Sequence, residues 1–318
     1  LIKNTPCSSL HFTGILGSGM SAIAQYLHWS SLRISGSDRL VDDESTRYIR
    51  STLESMGCRI CKQDGSGVSE QTDALIVSTA IEESNPDITR ARSLNIPVFH
   101  RSDALAAIVN SKKSIAVAGT SGKSTVTALV FHLLSACGMS PSIIAGGNLN
   151  ELVEKGFIGN AWQGSSDLLV IEADESDGSL IKYNPYVSVF LNISKDHKPV
   201  EETLNLFQTL ARQSSHVFIN YDDMVLRAIQ PSGSFGMERN AGFSPDTAES
   251  GSSFAAIIKN GVRYVIPVPG NYSRYNLAAA LTVCRFLGCT EAALAGASCG
   301  YRGIQRRFDC IRTRAGVT

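Results

Sequence analysis

The chain has 318 residues, more than one average domain, and 43% of them are hydrophobic, enough to close two or three cores. Its 29 Lys and Arg balance 29 Asp and Glu, so no net field draws it to nucleic acid or to anionic lipid. No apolar run reaches bilayer-spanning length and no signal-peptide pattern opens the chain, so the expectation is a cytoplasmic enzyme with no nucleic acid and no membrane among its partners.

Apolar and amphipathic stretches alternate from the start. Strands are expected at 10–15, 32–35, 74–79 and 97–100, with helices at 20–29, 44–56, 88–94 and 102–110. Such alternation implies a parallel sheet with helices on its faces. Polar Ser111-Lys112-Lys113 then marks a boundary, giving a first domain over 1–111 and a second over 112–300. In the second, strands are expected at 115–118, 142–145, 168–173, 187–193 and 216–220, and helices at 201–213 and 222–229. Residues 231–253, rich in Ser and Gly, read as loop or irregular hairpin. A hairpin follows at 254–258 and 262–268 around Lys259-Asn260-Gly261, then helices at 274–287 and 291–298. Eight cysteines show no framework; Cys58-x-x-Cys61 lacks a second pair or a His at zinc spacing, and free thiols in a reducing compartment are expected.

Two glycine loops carry chemistry. After the apolar run Ile115 to Ala118 come Gly119, Thr120, Ser121, Gly122, Lys123, Ser124 and Thr125, then a helical run: strand, phosphate loop, helix. Loop amides and the helix N-terminus favour an anion, Lys123 would reach terminal phosphates, and the Ser124 hydroxyl is placed for Mg²⁺. The loop is a shortened variant, because Val117 stands where the longer pattern wants glycine; a plain Gly-Ser turn is the bland alternative. The other loop, Gly17-Ser18-Gly19-Met20-Ser21-Ala22, satisfies G-x-G-x-x-[GA], and Asp38 ends the next strand where a ribose-binding acid belongs. Alone it would suit an NAD oxidoreductase or a UDP-linked ligand equally. Together the loops favour an enzyme holding a nucleotide-activated substrate in one domain and ATP in the next. The fold class expected is α/β with mostly parallel sheets, a Rossmann-like N-terminal domain followed by a P-loop-type α/β ATPase domain.

The apolar strand from Leu168 ends in Glu172, Asp174, Glu175 and Asp177, at the sheet edge where open α/β folds bind ligands; Glu172 could take Mg²⁺. The following strand delivers His197 to that edge, although a lone His is more often structural.

These residues resemble the Mur ligases, ATP-dependent amide-forming enzymes of peptidoglycan synthesis, nearest their alanine-adding branch. The resemblance is carried by the Gly14–Ser21 loop, Ser35-Gly-Ser37-Asp38, Ser78-Thr-Ala-Ile81, Asn85-Pro86, Ile96-Pro-Val98 with Arg101, Gly119–Ser124, Gly146-Gly147, Glu172–Asp177, Asp196-His197 and Arg306-Arg307-Phe308. It implies that ATP phosphorylates the carboxylate of UDP-N-acetylmuramate and that the amine of L-alanine attacks the acyl phosphate. It further implies that Lys123, Glu172 and His197 are catalytic, that Ser124, Glu172 and His197 hold Mg²⁺, and that Asn276 and Arg307 join the phosphate loop on ATP. Gly17, Ser18, Gly19, Met20, Ser37, Asp38 and Ser78 would bind the UDP substrate, in a monomer or weak homodimer. Alternatives are a recycling ligase that attaches a ready-made tripeptide, and a Mur-like nucleotide-binding protein without ligase activity. Two departures stand out: no lysine occurs between Lys198 and Lys259, as in the alanine-adding and recycling branches, and Gly270-Asn-Tyr272-Ser273-Arg-Tyr-Asn276 replaces the usual Gly-x-His-Asn-x-x-Asn. Residues 301–318, with Arg302, Arg306, Arg307, Arg312 and Arg314 among apolar residues, are expected to be the first strand of a third, amine-selecting domain, without which the chain alone is expected to be inactive.

Overall fold

The computed structural model describes residue 2 and residues 5–176, 178–195 and 198–305. The first layer contains β1 (Ser9–Thr13), α1 (Ser18–Trp29), β2 (Arg33–Asp38), α2 (Arg47–Ser55), β3 (Arg59–Lys62), β4 (Ala74–Val77), α3 (Pro86–Ser93), β5 (Val98–His100) and α4 (Arg101–Asn110). Its five strands run parallel in the order β3-β2-β1-β4-β5. The order reverses at β1, whose neighbours are β2 and β4, and a crevice opens there beyond the carboxyl ends of the strands.

The second sheet begins just after α4. It contains β6 (Lys113–Ala118), α5 (Lys123–Ala136), β7 (Ser142–Ile144), α6 (Asn150–Val153), β8 (Ala161–Trp162), β9 (Leu168–Glu172), β10 (Val187–Phe190), α7 (Val200–Gln213), β11 (His216–Asn220) and β12 (Gly233–Phe235). The order is β12-β11-β10-β6-β9-β7-β8, all parallel except the β7–β8 pair. Ile115, Ala116, Val117 and Ala118 of central β6 are wholly buried, as expected of a strand covered on both faces. A third, antiparallel sheet of β13 (Thr247–Ser250), β14 (Ala255–Lys259) and β15 (Val262–Ile266) is followed by α8 (Asn271–Phe286) and α9 (Glu291–Ser298). Its hairpin turns on Asn260 and Gly261, both at positive φ (52° and 77°), the backbone that an Asn-Gly loop supplies.

The two large sheets share one apolar core. Ile23 and Tyr26 of α1 belong to the same buried cluster as Ile144, Ile158 and Ala161. Trp29, Phe157 and Trp162 close its rim edge-to-face, with ring centroids 5.0–6.3 Å apart.

Three expectations need correction. Residues 222–229 form turns and a short 3₁₀ segment, not an α-helix. Asp223 accepts from Val225 N at 2.9 Å through one oxygen and from Ile193 N at 2.8 Å through the other, which folds the chain back onto the exit of β10. Residues 231–253 contain β12 and β13, and Arg59–Lys62 makes an edge strand not expected at all. Of 301–318, Tyr301–Gln305 lie among the described residues, where Ile304 bridges Leu149; the rest of the expected strand lies outside the described residues. All described cysteines are free, and no described helix is long and apolar enough to cross a membrane.

Candidate active site

At the crevice of the first sheet, the loop leaving β1 folds back on Ser37, whose carbonyl accepts from Gly14 N at 2.8 Å and Ile15 N at 3.1 Å. Asp38 braces the same loop: one carboxylate oxygen accepts from Leu16 N at 3.0 Å, the other from Leu40 N at 2.9 Å. The chain then enters α1 with Gly17 as N-cap, no side-chain cap and no acid in the first turn, so the leading amides stay open toward the cleft. A cleft of about 810 Å³ results, lined by Gly17, Ser18, Gly19, Met20, Asp38 and Ser78. Arg101, at the start of α4, stands over the loop: a Cβ on Gly19 would lie 3.3 Å from its Nη1.

Ser37 is the exception among the expected substrate residues. Its side chain is wholly buried and donates to Asp87, away from the cleft. Asp87 also accepts from Thr13 Oγ1 at 3.0 Å and from Gly65 N at 2.9 Å, so one buried carboxylate ties β1, β2 and the segment after β3. His11 lies alongside, Nε2 3.9 Å from the carboxylate and Nδ1 2.9 Å from Ser35 Oγ. Burial draws the His11 imidazole down to about 4, against a smaller upward pull from Asp87.

In the second sheet β6 runs into Gly119–Gly122 and then α5. Gly122 adopts φ 88°, and a Cβ there would meet Asn276 Oδ1 at 2.8 Å; on Gly119 it would meet Leu191 Cβ at 2.9 Å. Glycine is required at both points. Asn192, beyond the end of β10, cradles the loop: its side chain accepts from Ser121 N at 2.9 Å and donates to Ser121 O at 3.0 Å, while its carbonyl accepts from Thr120 N at 3.1 Å. Lys123 Nζ donates to Gly119 O at 2.9 Å and pairs with Glu175 at 3.0 Å, both side chains largely buried. Ser124 Oγ lies 2.8 and 2.9 Å from the two Glu172 oxygens. Thr125, Ser121, Gly122, Asn276, Tyr272 and Tyr275 line a second cavity of about 870 Å³.

Glu172 links the lining of the first cleft to the phosphate loop by hydrogen bonds. Gly146 N donates to Glu172 Oε2 at 3.0 Å, and Gly146, with Asp174, also lines the first cleft. Ser124 and Glu172 are hard oxygen donors suited to Mg²⁺. Among the described residues no group of three or more His, Cys, Asp and Glu is arranged around a common metal position. His197 and Arg307 lie outside the described residues, as does Asp177. Asp87, Asn192 and the Lys123–Glu175 pair were not singled out from the sequence. Only the position of Asn192 at a strand end beside β6 could have flagged it.

Comparison with known proteins agrees with this architecture. The model described as "Mur ligase family, catalytic domain" matches residues 9–113, and the "Mur ligase middle domain" matches 117–284. The UDP-N-acetylmuramate–L-alanine ligase of Microcystis aeruginosa is 34% identical over 97% of this chain and 67% of its own length. The chain thus spans about two thirds of the curated relatives it matches. The solved UDP-N-acetylmuramate–alanine ligase of Thermotoga maritima superposes with a TM-score of 0.82 at 25% identity, covering 96% of this chain and 71% of that one. The tripeptide-adding ligase from Neisseria meningitides shares the fold at 19% identity, with a TM-score of 0.78 over 95% of this chain and 100% of its own. With both family models matched in order over nearly all the described residues, the chain belongs to the Mur ligase family.

Proposed function

We propose that this chain carries the substrate-holding and phosphorylating parts of an ATP-dependent ligase that joins L-alanine to UDP-N-acetylmuramate in the cytoplasm. Residues 1–111 bind the UDP-linked acid through the glycine loop, Asp38 and Ser78; residues 112–300 bind ATP through Gly119–Thr125 and Asn276. One observation carries the reading: Gly146 lines the substrate cleft and donates to Glu172, which in turn accepts from Ser124 of the phosphate loop. A carboxylate presented from the first cleft would therefore face a phosphoryl group held in the second. Lys123 and the loop amides neutralise the charge on the transferring group, and a Mg²⁺ between Ser124 and Glu172 would screen the phosphate oxygens. His197 and Arg307 complete the proposed set as a metal ligand and an ATP-phosphate contact. The acyl phosphate formed is then open to the incoming amine.

Lys123→Ala in the complete protein should lower ligation about 10²–10³-fold or more, as loss of a preorganised charge at a transferring phosphoryl group does. Binding of UDP-N-acetylmuramate, measured by calorimetry, should be unchanged. Near-normal turnover would overturn the phosphate-loop assignment.

A further inference from the structure

β9 lies beside β6 in the second sheet, so the chain leaving β9 passes the phosphate loop. Two carboxylates from that exit reach two consecutive residues at the start of α5: Glu172 accepts from Ser124, and Glu175 pairs with Lys123. Glu172 has a second donor in Gly146 N. Among the described residues the Glu175 carboxylate is bonded to Lys123 alone, and its side chain is 8% exposed. An ammonium has three N–H donors. One of those on Lys123 goes to Gly119 O at 2.9 Å, and the other two face the Glu175 oxygens at 3.0 and 3.2 Å. Two phosphate oxygens would make the same pair of contacts. α5 itself begins with no side-chain cap and no acid in its first turn, so Glu175 supplies from the neighbouring strand the anion that this helix end lacks.

We propose that Glu175 occupies Lys123 as an internal stand-in for the nucleotide's phosphate oxygens, and thereby sets the affinity of the loop for ATP. The proposal rests on the reading of Gly119–Thr125 as the ATP loop. A triphosphate entering the loop takes two Lys123 donors from Glu175, while Gly119 O keeps the third. The displaced carboxylate is then left buried, without its cation and beside incoming negative charge. Loss of the pair and the new repulsion both oppose binding. When the phosphates leave, Glu175 pairs with Lys123 again, which favours release of the nucleotide. Glu175 is thus a positioning residue that acts through Lys123.

The test is calorimetric titration of the full-length protein with ATP and Mg²⁺, wild type against Glu175→Gln, with UDP-N-acetylmuramate titrated in parallel. The amide keeps the shape of the side chain but not its charge. The variant should therefore bind ATP about ten-fold more tightly or better, because no buried ion pair has to be broken. UDP-N-acetylmuramate should bind both proteins alike, which reports that the variant is folded. Equal or weaker ATP binding by the folded variant would overturn the proposal, since loss of a structural pair or of a metal ligand gives no gain in affinity. A wild-type protein that binds no ATP would overturn the ATP-loop reading itself, and the proposal with it. If the variant does not fold, a crystal structure of the wild type with ATP decides. Lys123 Nζ is expected on phosphate oxygens and off the Glu175 carboxylate; a lysine still held by both Glu175 oxygens would refute the exchange.

Discussion

His11 is enclosed beneath the glycine loop, and its Nε2 finds no hydrogen-bond partner among the described residues. Burial keeps it neutral down to about 4, whereas an unfolded histidine takes a proton near 6.5. Between those values the unfolded chain binds more protons, so stability is complete above about 6.5 and falls as pH drops toward 4, by roughly 3 kcal/mol at most. His132 on α5 is placed the other way. Burial lowers it, but the Glu151 carboxylate at 2.8 Å on Nδ1 and the Ala297 carbonyl at 3.0 Å on Nε2 together raise it overall. Its contribution is present below the unfolded value and is lost as pH rises through the raised folded value. Imidazole proton resonances, assigned with His11→Gln and His132→Gln, should show His11 titrating near 4 and His132 above the ordinary value. A His11 that titrates near 6.5 would remove the acid-side argument.

At the scale of elements, the first sheet is held in register at its ligand end by the first turn of α3. Asn85 caps that helix and accepts from Asp87 N at 2.9 Å, which aims the Asp87 carboxylate back under β1 and β2. Asp87→Ala leaves Thr13, Ser37 and Gly65 N without their buried acceptor and should cost about 3–5 kcal/mol in urea unfolding. Asp87→Asn should cost less, because the amide oxygen can still accept, and the glycine loop above it should bind the UDP-linked acid more weakly in both. A loss below about 1 kcal/mol for Asp87→Ala would show that the carboxylate does not tie β1 to β2. None of this network could be read from the sequence, since its donors lie on segments far apart along the chain. What could be read was whatever periodicity and turn chemistry write locally: apolar β1 and β6 with their glycine exits, apolar β9 with its acidic exit, and the Asn260-Gly261 hairpin. Arg59–Lys62 was missed because an edge strand with exposed charged ends and only two partly buried residues between them has no apolar signature. Residues 222–229 look helical by composition, but the Asp223 carboxylate competes for the backbone amides and wins. The same distinction applies to the site: both loops announced themselves by their glycines, whereas Asn192 and Glu175 gain their places only through the order β10-β6-β9.

Across the whole molecule the question is whether the two large sheets behave as one body. Among the polar contacts that join them, two centre on Lys182 and Asn160. Lys182, just before β10, donates to Asp103 Oδ1 and Ser102 Oγ of α4, each at 2.8 Å. Asn160, wholly buried beside β8, donates to Ser18 O at 2.7 Å and Ser21 Oγ at 3.0 Å, and its Oδ1 accepts from Gln25 Nε2 at 2.8 Å. Ser18 and Ser21 belong to the first turn of α1, so Asn160 fixes the substrate loop to the sheet that carries the phosphate loop. The shared core and these buried hydrogen bonds predict one cooperative unfolding transition in calorimetry. Asn160→Leu keeps the volume but removes three hydrogen bonds, leaving Gln25 Nε2 with Ser21 O and Ser18 O with Ser21 Oγ as their remaining side-chain-mediated partners, at a cost of about 1–3 kcal/mol. Because Lys182 remains, the sheets should still associate, but with the substrate loop no longer registered to the phosphate loop. In the complete ligase the variant should therefore lose turnover more than it loses ATP binding, and its calorimetric transition should broaden or divide. A wild-type protein that already melts in two steps would refute the single-body reading. An Asn160→Leu protein with undiminished turnover would show that the alignment of the two loops is set elsewhere in the shared core.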